Sequence, residues 1–378
     1  MRVLMVNALL DPVTGGGTAE RTFQLARLLG ERGTDVGVLT LDIGLTAERK
    51  QALADVRLTA LPCLLQRFYL PRPSLDRIYR AVAAADVVHV MGHWTVINAL
   101  AVLAAKRAGK PWVVCPAGAL PIVGRSGALK RLYNAVIGRR IVREASGHVA
   151  ITRDELPAFS SYGVDPAKVV VIPNGVSLIP EGAADASAFR ARHRLGSRGI
   201  ILFMGRLSYI KGPDLLLEAF LQTLDSLPAH DLVFAGPDDG LLGKLQATAA
   251  RAGASGRVHF VGYVGGADKE SAYAASDLLV VPSRKEAMSL VAIEAGIRGK
   301  PALLTDQCGF DEVEAAGGGR VVPARSDALG EALVSLLSDR EALVRRGATM
   351  REFVRRDYLW DTAVARYLEL FRQITRQA

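Results

Sequence analysis

Short runs of β-branched and apolar residues alternate with longer segments of helical period along the whole chain, and this alternation constrains the fold more than any other feature of the sequence. It is the mark of parallel strands joined by crossover helices, in a sheet covered on both faces. RVLMVNAL, DVGVLTL, DVVHVMG, PWVVCPAG, GHVAIT and VVVIPNG read as six strands of a first domain. From Pro173 to about Arg194 the texture changes to Gly, Pro, Ala and Ser, which reads as a linker. A second series follows, with GIILFMG, DLVFAG, VHFVG, DLLVVP, PALLT and RVVP as strands. The sequence predicts an α/β protein of two doubly wound domains, 1–176 and 177–358. A one-faced helix over about 359–378, carrying Leu359, Trp360, Ala363, Tyr367, Leu368 and Phe371, is expected to pack back on the first domain. Ligands of such sheets sit beyond the carboxyl ends of the strands, so the expected site is a cleft where two sets of strand ends face each other.

The length of 378 residues fits two domains, and half the residues are apolar with 22% charged, which excludes disorder and fibrous repeats. The net charge of +9 points to an anionic partner. Residues 1–176 hold 22 basic and 13 acidic side chains, whereas 177–378 hold 25 of each, so the surplus lies in the first half. Between Asp86 and Glu144 no acidic residue occurs, while Lys106, Arg107, Lys110, Arg125, Lys130, Arg131, Arg139, Arg140 and Arg143 do. Cys63, Cys115 and Cys308 are far apart and form no CxxC pair, which argues against a disulfide framework or a thiolate zinc site and for a cytoplasmic protein. The opening MRVLMVNALLDP reads as a strand rather than a signal peptide, and no apolar run is long enough to cross a bilayer. Any membrane contact is expected to be peripheral.

Three motifs carry chemistry. The first strand leads into Gly15-Gly16-Gly17-Thr18-Ala19-Glu20-Arg21. Glycines there let backbone amides approach a phosphate at a helix N-terminus, although a flexible turn has the same composition. Glu20 stands where a dinucleotide fingerprint needs its third glycine, which disfavours a dehydrogenase. Next, FMGRLSYIKG places Arg206 at a strand exit and Lys211 five residues on, two cations that can neutralise a diphosphate leaving group or merely lie solvated on a loop. Finally, Glu286 and Glu294 frame EAMSLVAIE, the first on a loop after a strand and the second on the following helix. A carboxylate that accepts two adjacent hydroxyls suits a ribose, one nearer the loop suits a donor sugar, and helix amides near Ser289 and Leu290 add phosphate donors. Paired glutamates on a solvated helix face look the same. His89 reads as a core histidine, while His93, just beyond a strand end, could reach the cleft or be buried. There is no DxD, Walker, GxSxG or HExxH pattern, so neither a metal nor a cofactor is indicated.

Together these elements resemble the retaining glycosyltransferases of family 4, which have the GT-B architecture of two Rossmann-like domains. GGGTAER resembles that family's glycine loop, PNGV its domain junction, GRLSYIKG its Arg/Lys clamp and EAMSLVAIEAGIRGKPAL its E-x7-E signature. The resemblance implies that Arg206 and Lys211 stabilise the leaving nucleoside diphosphate, Glu286 meets the donor sugar and Glu294 the ribose. It further implies that Gly16 and Gly17 approach the donor phosphate, and that backbone near Tyr263 meets the nucleobase. Many members carry a histidine where this chain has Ala117. The implied activity is metal-independent transfer from a UDP- or GDP-sugar to a glycan or lipid-linked acceptor in bacterial cell-surface polysaccharide or glycolipid synthesis. Front-face attack, with the departing phosphate taking the acceptor proton, is the implied route to retention. A catalytically silent nucleotide-sugar-binding protein or scaffold is the alternative. Nucleic-acid binding is not expected, because the basic window lacks interleaved aromatics.

The same window, 87–143, includes Leu129, Leu132, Tyr133, Val136, Ile137 and Ile141 at helical spacing, preceded by Leu120, Ile122 and Val123 on a loop. A core-facing stripe with a solvated basic back is one reading. Docking on anionic lipid, by the loop and helix together, is the other.

Overall fold

The computed structural model describes residues 1–66, 69–122, 126–178 and 184–377. Val123 and Arg125 therefore lie outside the described residues. The chain divides into two compact units, Met1–Gly175 with Trp360–Ala378, and Val176–Leu359.

In the first unit the strands are β1 (Arg2–Val6), β2 (Asp35–Leu41), β3 (Arg57–Leu61), β4 (Cys63–Leu65), β5 (Leu70–Pro71), β6 (Val87–Met91), β7 (Trp112–Cys115), β8 (Gly147–Ala150) and β9 (Val169–Val171). Seven of them form a parallel sheet in the order β3-β2-β1-β6-β7-β8-β9, and β4 pairs with β5 as a small antiparallel ribbon. Val3, Met5, Val38, Val88, Val90 and Val113 are fully buried, as expected of strands covered on both faces. β3 and the ribbon escape the sequence reading because RLTAL is a half-exposed edge strand whose Arg57 and Thr59 break the apolar run.

The second unit holds β10 (Gly199–Met204), β11 (His230–Ala235), β12 (Val258–Gly262), β13 (Leu278–Val281), β14 (Ala302–Thr305) and β15 (Gly319–Val322). They form one parallel sheet, β12-β11-β10-β13-β14-β15. This is the doubly wound order, in which connections leave the central pair in opposite directions and open a crevice beyond the carboxyl ends of β10 and β13. All six sequence-predicted strands occur. The linker reading overshoots, however. Residues Ala186–Arg192 form a helix capped by the Asp185 carboxylate, and Phe189, 1% exposed, anchors it within the second unit.

The final helix, Trp360–Gln377, belongs to the first unit and buries Trp360, Ala363, Val364, Tyr367, Leu370, Phe371 and Ile374. Leu370, rather than Leu368, lies on the buried face. The fully buried Arg21 ties this helix to the end of β9. It donates to the Ile172 carbonyl at 2.7 Å, the Pro173 carbonyl at 2.9 Å, Asn174 Oδ1 at 2.8 Å and the Tyr367 hydroxyl at 3.0 Å. A buried guanidinium is tolerated only with such partners.

Candidate active site

In the second unit, the strand β10 ends at Met204 and hands the chain to Arg206 and a 3-10 turn, Tyr209–Lys211. Gly212 follows at φ +67, and a Cβ there would run into the Pro282 carbonyl. Only glycine allows this close approach, which brings the exit of β10 against the exit of β13. Lys211 Nζ consequently donates to Glu286 Oε1 at 2.7 Å, and Ser283 Oγ donates to the same oxygen at 2.6 Å. The Glu286 side chain is 7% exposed and that of Lys211 30%, so the pair sits at the mouth of the β10/β13 crevice. Arg206, half-exposed on the same loop, reaches Asp239 at 3.4 Å.

The loop beyond Glu286 is held from the other side. Gly309, at φ +58, packs where any side chain would strike the Ala287 carbonyl. The loop from Glu286 leads into the helix Leu290–Ile297, whose preceding residue, Ser289, makes no side-chain capping bond. The Ser289 hydroxyl is fully buried and, among the described residues, has no hydrogen-bond partner. An orphan buried hydroxyl at the free amides of a helix start fits a phosphate oxygen. One turn on, Glu294 accepts from Lys269 Nζ at 2.7 Å and from the buried Tyr273 hydroxyl at 2.8 Å. These two donors fix the carboxylate, and the sequence reading did not name either of them. Tyr263, 62% exposed, folds its ring over Gly265 at the start of the helix Gly266–Ala275, which carries Lys269 and Tyr273. Thus Arg206 and Lys211 lie on the segment that leaves β10, and Glu286, Ser289, Leu290 and Glu294 on the one that leaves β13.

In the first unit, the helix Pro12–Glu31 is interrupted at Gly16, with φ 58 and ψ −144, so its regular part begins at the exposed Gly17. Asn7, at the end of β1, donates to the Thr18 carbonyl at 3.0 Å and to Thr22 Oγ1 at 2.9 Å, which fixes that start. His93 takes a different place from an open catalytic imidazole. It is 2% exposed, contacts Asn134 Oδ1 at 2.9 Å, and is ringed edge-on by Trp94, Tyr133 and Tyr162. Burial depresses its pKa to about 4, so it is neutral at pH 7. Asn134 passes the chain of bonds to the Tyr162 hydroxyl, which donates to the Leu120 carbonyl at 3.0 Å. Leu120 is accordingly buried rather than displayed on the loop. Ala117 has φ +51, a conformation that a β-carbon disfavours, and the next amide, Gly118 N, donates to the buried Glu155 at 2.8 Å.

The apolar stripe of the basic window splits in two. Ile141 is buried and Tyr133 and Ile137 pack on the core, whereas Leu129, Leu132 and Val136 are 52%, 60% and 64% exposed. No helix among the described residues is long and apolar enough to cross a membrane.

The chain matches the model of the glycosyl transferases group 1 over residues 185–353 and that of the glycosyl transferase 4-like domain over residues 16–175. It is 30% identical over 366 residues to a D-inositol 3-phosphate glycosyltransferase of Geodermatophilus obscurus, a match that covers 88% of this chain and 80% of that one.

The chain is a group 1 glycosyltransferase.

This glycosyltransferase is also 29% identical to the D-inositol 3-phosphate glycosyltransferase of Xylanimonas cellulosilytica, across 100% of its own length and 97% of the relative's. Its fold is similar to that of Anabaena HepE, solved in complex with UDP and glucose, with a TM-score of 0.80 and 19% identity over 99% of this chain and 100% of that one. The resemblance to family 4 and to the GT-B fold therefore holds for this glycosyltransferase.

Proposed function

We propose that this glycosyltransferase takes a sugar from a UDP- or GDP-sugar, binds the donor at the β10/β13 crevice, and retains the anomeric configuration. One observation carries the reading: the Lys211–Glu286–Ser283 cluster is followed three residues on by the buried Ser289 hydroxyl, which has no hydrogen-bond partner among the described residues, with Gly212 and Gly309 allowing the close loop contacts on either side. A diphosphate accepts from Lys211, Arg206 and the amides at Ser289 and Leu290, while Glu294 accepts ribose hydroxyls. Glu286 is then released in part from Lys211 and accepts from the donor sugar. As the bond from the anomeric carbon to the diphosphate oxygen breaks, the acceptor oxygen bonds to that carbon, and its proton passes to the departing phosphate. Two cations compensate the leaving charge, so the step needs no metal. HepE, whose complex holds UDP and glucose, supports a donor of this type.

For the acceptor we propose a glycan or lipid-linked sugar at a bacterial cytoplasmic membrane, with Leu129, Leu132 and Val136 entering the headgroup layer and Arg131, Arg140 and Arg143 attracting anionic lipid. The names of the relatives favour a second reading, in which a phosphorylated cyclitol is the acceptor. A thermal-shift panel of UDP, GDP, ADP and their sugars, followed by acceptor screening with the donor that stabilises most, tests the proposal. Ligands that bind the native state raise its midpoint by mass action. A rise with a uridine or guanosine diphosphate sugar is the expected result, and no rise with any of them overturns it.

A further inference from the structure

Arg284 sits two residues before Glu286 in PSRKE. Its side chain is only 21% exposed and is engaged on several sides. Nη1 donates to the Tyr209 carbonyl at 2.7 Å and to Asp214 Oδ1 at 2.8 Å, and Nη2 donates to Asp214 Oδ2 at 2.7 Å. The guanidinium lies 4.0 Å from the centre of the Tyr209 ring. The Arg284 backbone N–H donates to the Ile210 carbonyl at 2.8 Å. One residue of the β13 exit thereby grips the turn Tyr209–Lys211 and the first turn of the helix that follows it, Pro213–Gln222.

Beyond the Lys211 bond to Glu286, the close approach at Gly212 and the turn's own backbone bonds, burial adds little to hold that turn. None of its three residues is buried, Tyr209 and Ile210 are 64% and 57% exposed, and Ser208 gives it no side-chain cap. Lys211 itself has a long flexible stem, so its ammonium is placed only as well as its backbone is. A two-pronged pair between Arg284 and Asp214 fixes orientation as well as distance, and the stack on Tyr209 blocks rotation about it.

We propose that Arg284 is a positioning residue for the diphosphate clamp: through Asp214, Tyr209 and the Ile210 carbonyl it locks the 209–211 turn against the 283–286 loop and presets Lys211 for the donor. This rests on the reading of Lys211 as a diphosphate ligand. Misplacement of such a group by about 1 Å is enough to cost on the order of a hundredfold in rate.

The test is a calorimetric titration of UDP and of GDP into the wild type, Arg284→Met, Lys211→Ala and the double variant, with Arg284→Lys and the unfolding midpoint of each alongside. For the nucleotide that the wild type binds, Arg284→Met weakens binding about tenfold, and Arg284→Lys recovers part of the loss. In the Lys211→Ala background Arg284→Met adds nothing, because its effect runs through Lys211. A residue of purely structural importance would lower the midpoint and weaken binding equally in both backgrounds, and that outcome overturns the proposal. Wild-type binding by Arg284→Met overturns it too. If Arg284→Met does not fold, Asp214→Asn, which leaves the stack on Tyr209, carries the same comparison. If Lys211→Ala binds as tightly as the wild type, or the wild type binds neither nucleotide, the diphosphate reading itself fails and the proposal falls with it.

Discussion

Lys211 and Glu286, 75 residues apart in the chain, meet at 2.7 Å between Nζ and Oε1, and this contact joins the two strand exits at the switch point of the second sheet. Glu286 is nearly buried, with Ser283 as its other side-chain donor. Removal of Lys211 leaves that carboxylate short of a partner, at a cost of about 1–3 kcal/mol. Lys211→Ala should therefore lower the urea midpoint, and Lys211→Ala combined with Glu286→Gln should restore most of it. Equal midpoints for wild type and Lys211→Ala would show that the pair adds no stability.

Gly212 makes the contact possible. In Gly212→Ala the new methyl group meets the Pro282 carbonyl in a backbone conformation that costs an alanine about 1–2 kcal/mol on its own. Equilibrium unfolding should show a loss of at least about 2 kcal/mol, together with weaker nucleotide binding, since the two loops must part. A variant of wild-type stability would mean that the loops give way easily.

The first unit carries a pH dependence that the sequence did not announce. Burial holds the pKa of His93 at about 4 and that of His89 at about 3, against an ordinary value of 6.5. The unfolded chain binds these protons first, so stability is full above pH 6.5 and falls as pH drops from there toward 4. Each imidazole contributes a slope of up to about 1.4 kcal/mol per pH unit. Urea unfolding at pH 7, 6, 5 and 4.5 checks this, and His93→Gln should lower the slope by one proton. A flat profile would contradict the neutral, buried placement.

Membrane docking predicts co-sedimentation with vesicles of phosphatidylglycerol and phosphatidylcholine at low salt, weakening as salt rises. Leu132→Glu with Val136→Glu alters only exposed positions and should release the protein without a shift in its unfolding midpoint. Full sedimentation of that double variant would place the contact elsewhere.

The sheets were legible because buried parallel strands write continuous apolar runs, and every strand of the second unit was found that way. The meeting of Lys211 and Glu286 was legible for a related reason: they follow the ends of β10 and β13, neighbouring strands whose exits the topology sets side by side. What stayed hidden lies in side-chain partnerships over long separations. His93 beyond a strand end fitted both a cleft position and burial, and the partner that decides for burial, Asn134, lies 41 residues on. Lys269 and Arg284 stand outside every motif of the sequence, although one orients Glu294 and the other grips the Lys211 turn. β3 failed the reading because an edge strand needs no apolar run, and the residues 186–192 because Ala, Arg and one buried Phe behind an Asp185 cap form a helix as readily as they fill a linker.

The most direct test of the donor site is the release of nucleoside diphosphate from the donor sugar that stabilises the protein most, measured for the wild type, Arg206→Ala and Lys211→Ala under conditions where each is folded. Loss of a preorganised charge at a leaving group lowers turnover by about two to three orders of magnitude. The site described here predicts a fall of at least about a hundredfold in kcat/KM for Lys211→Ala, with Arg206→Ala in the same direction. Turnover by Lys211→Ala within twofold of the wild type would contradict it.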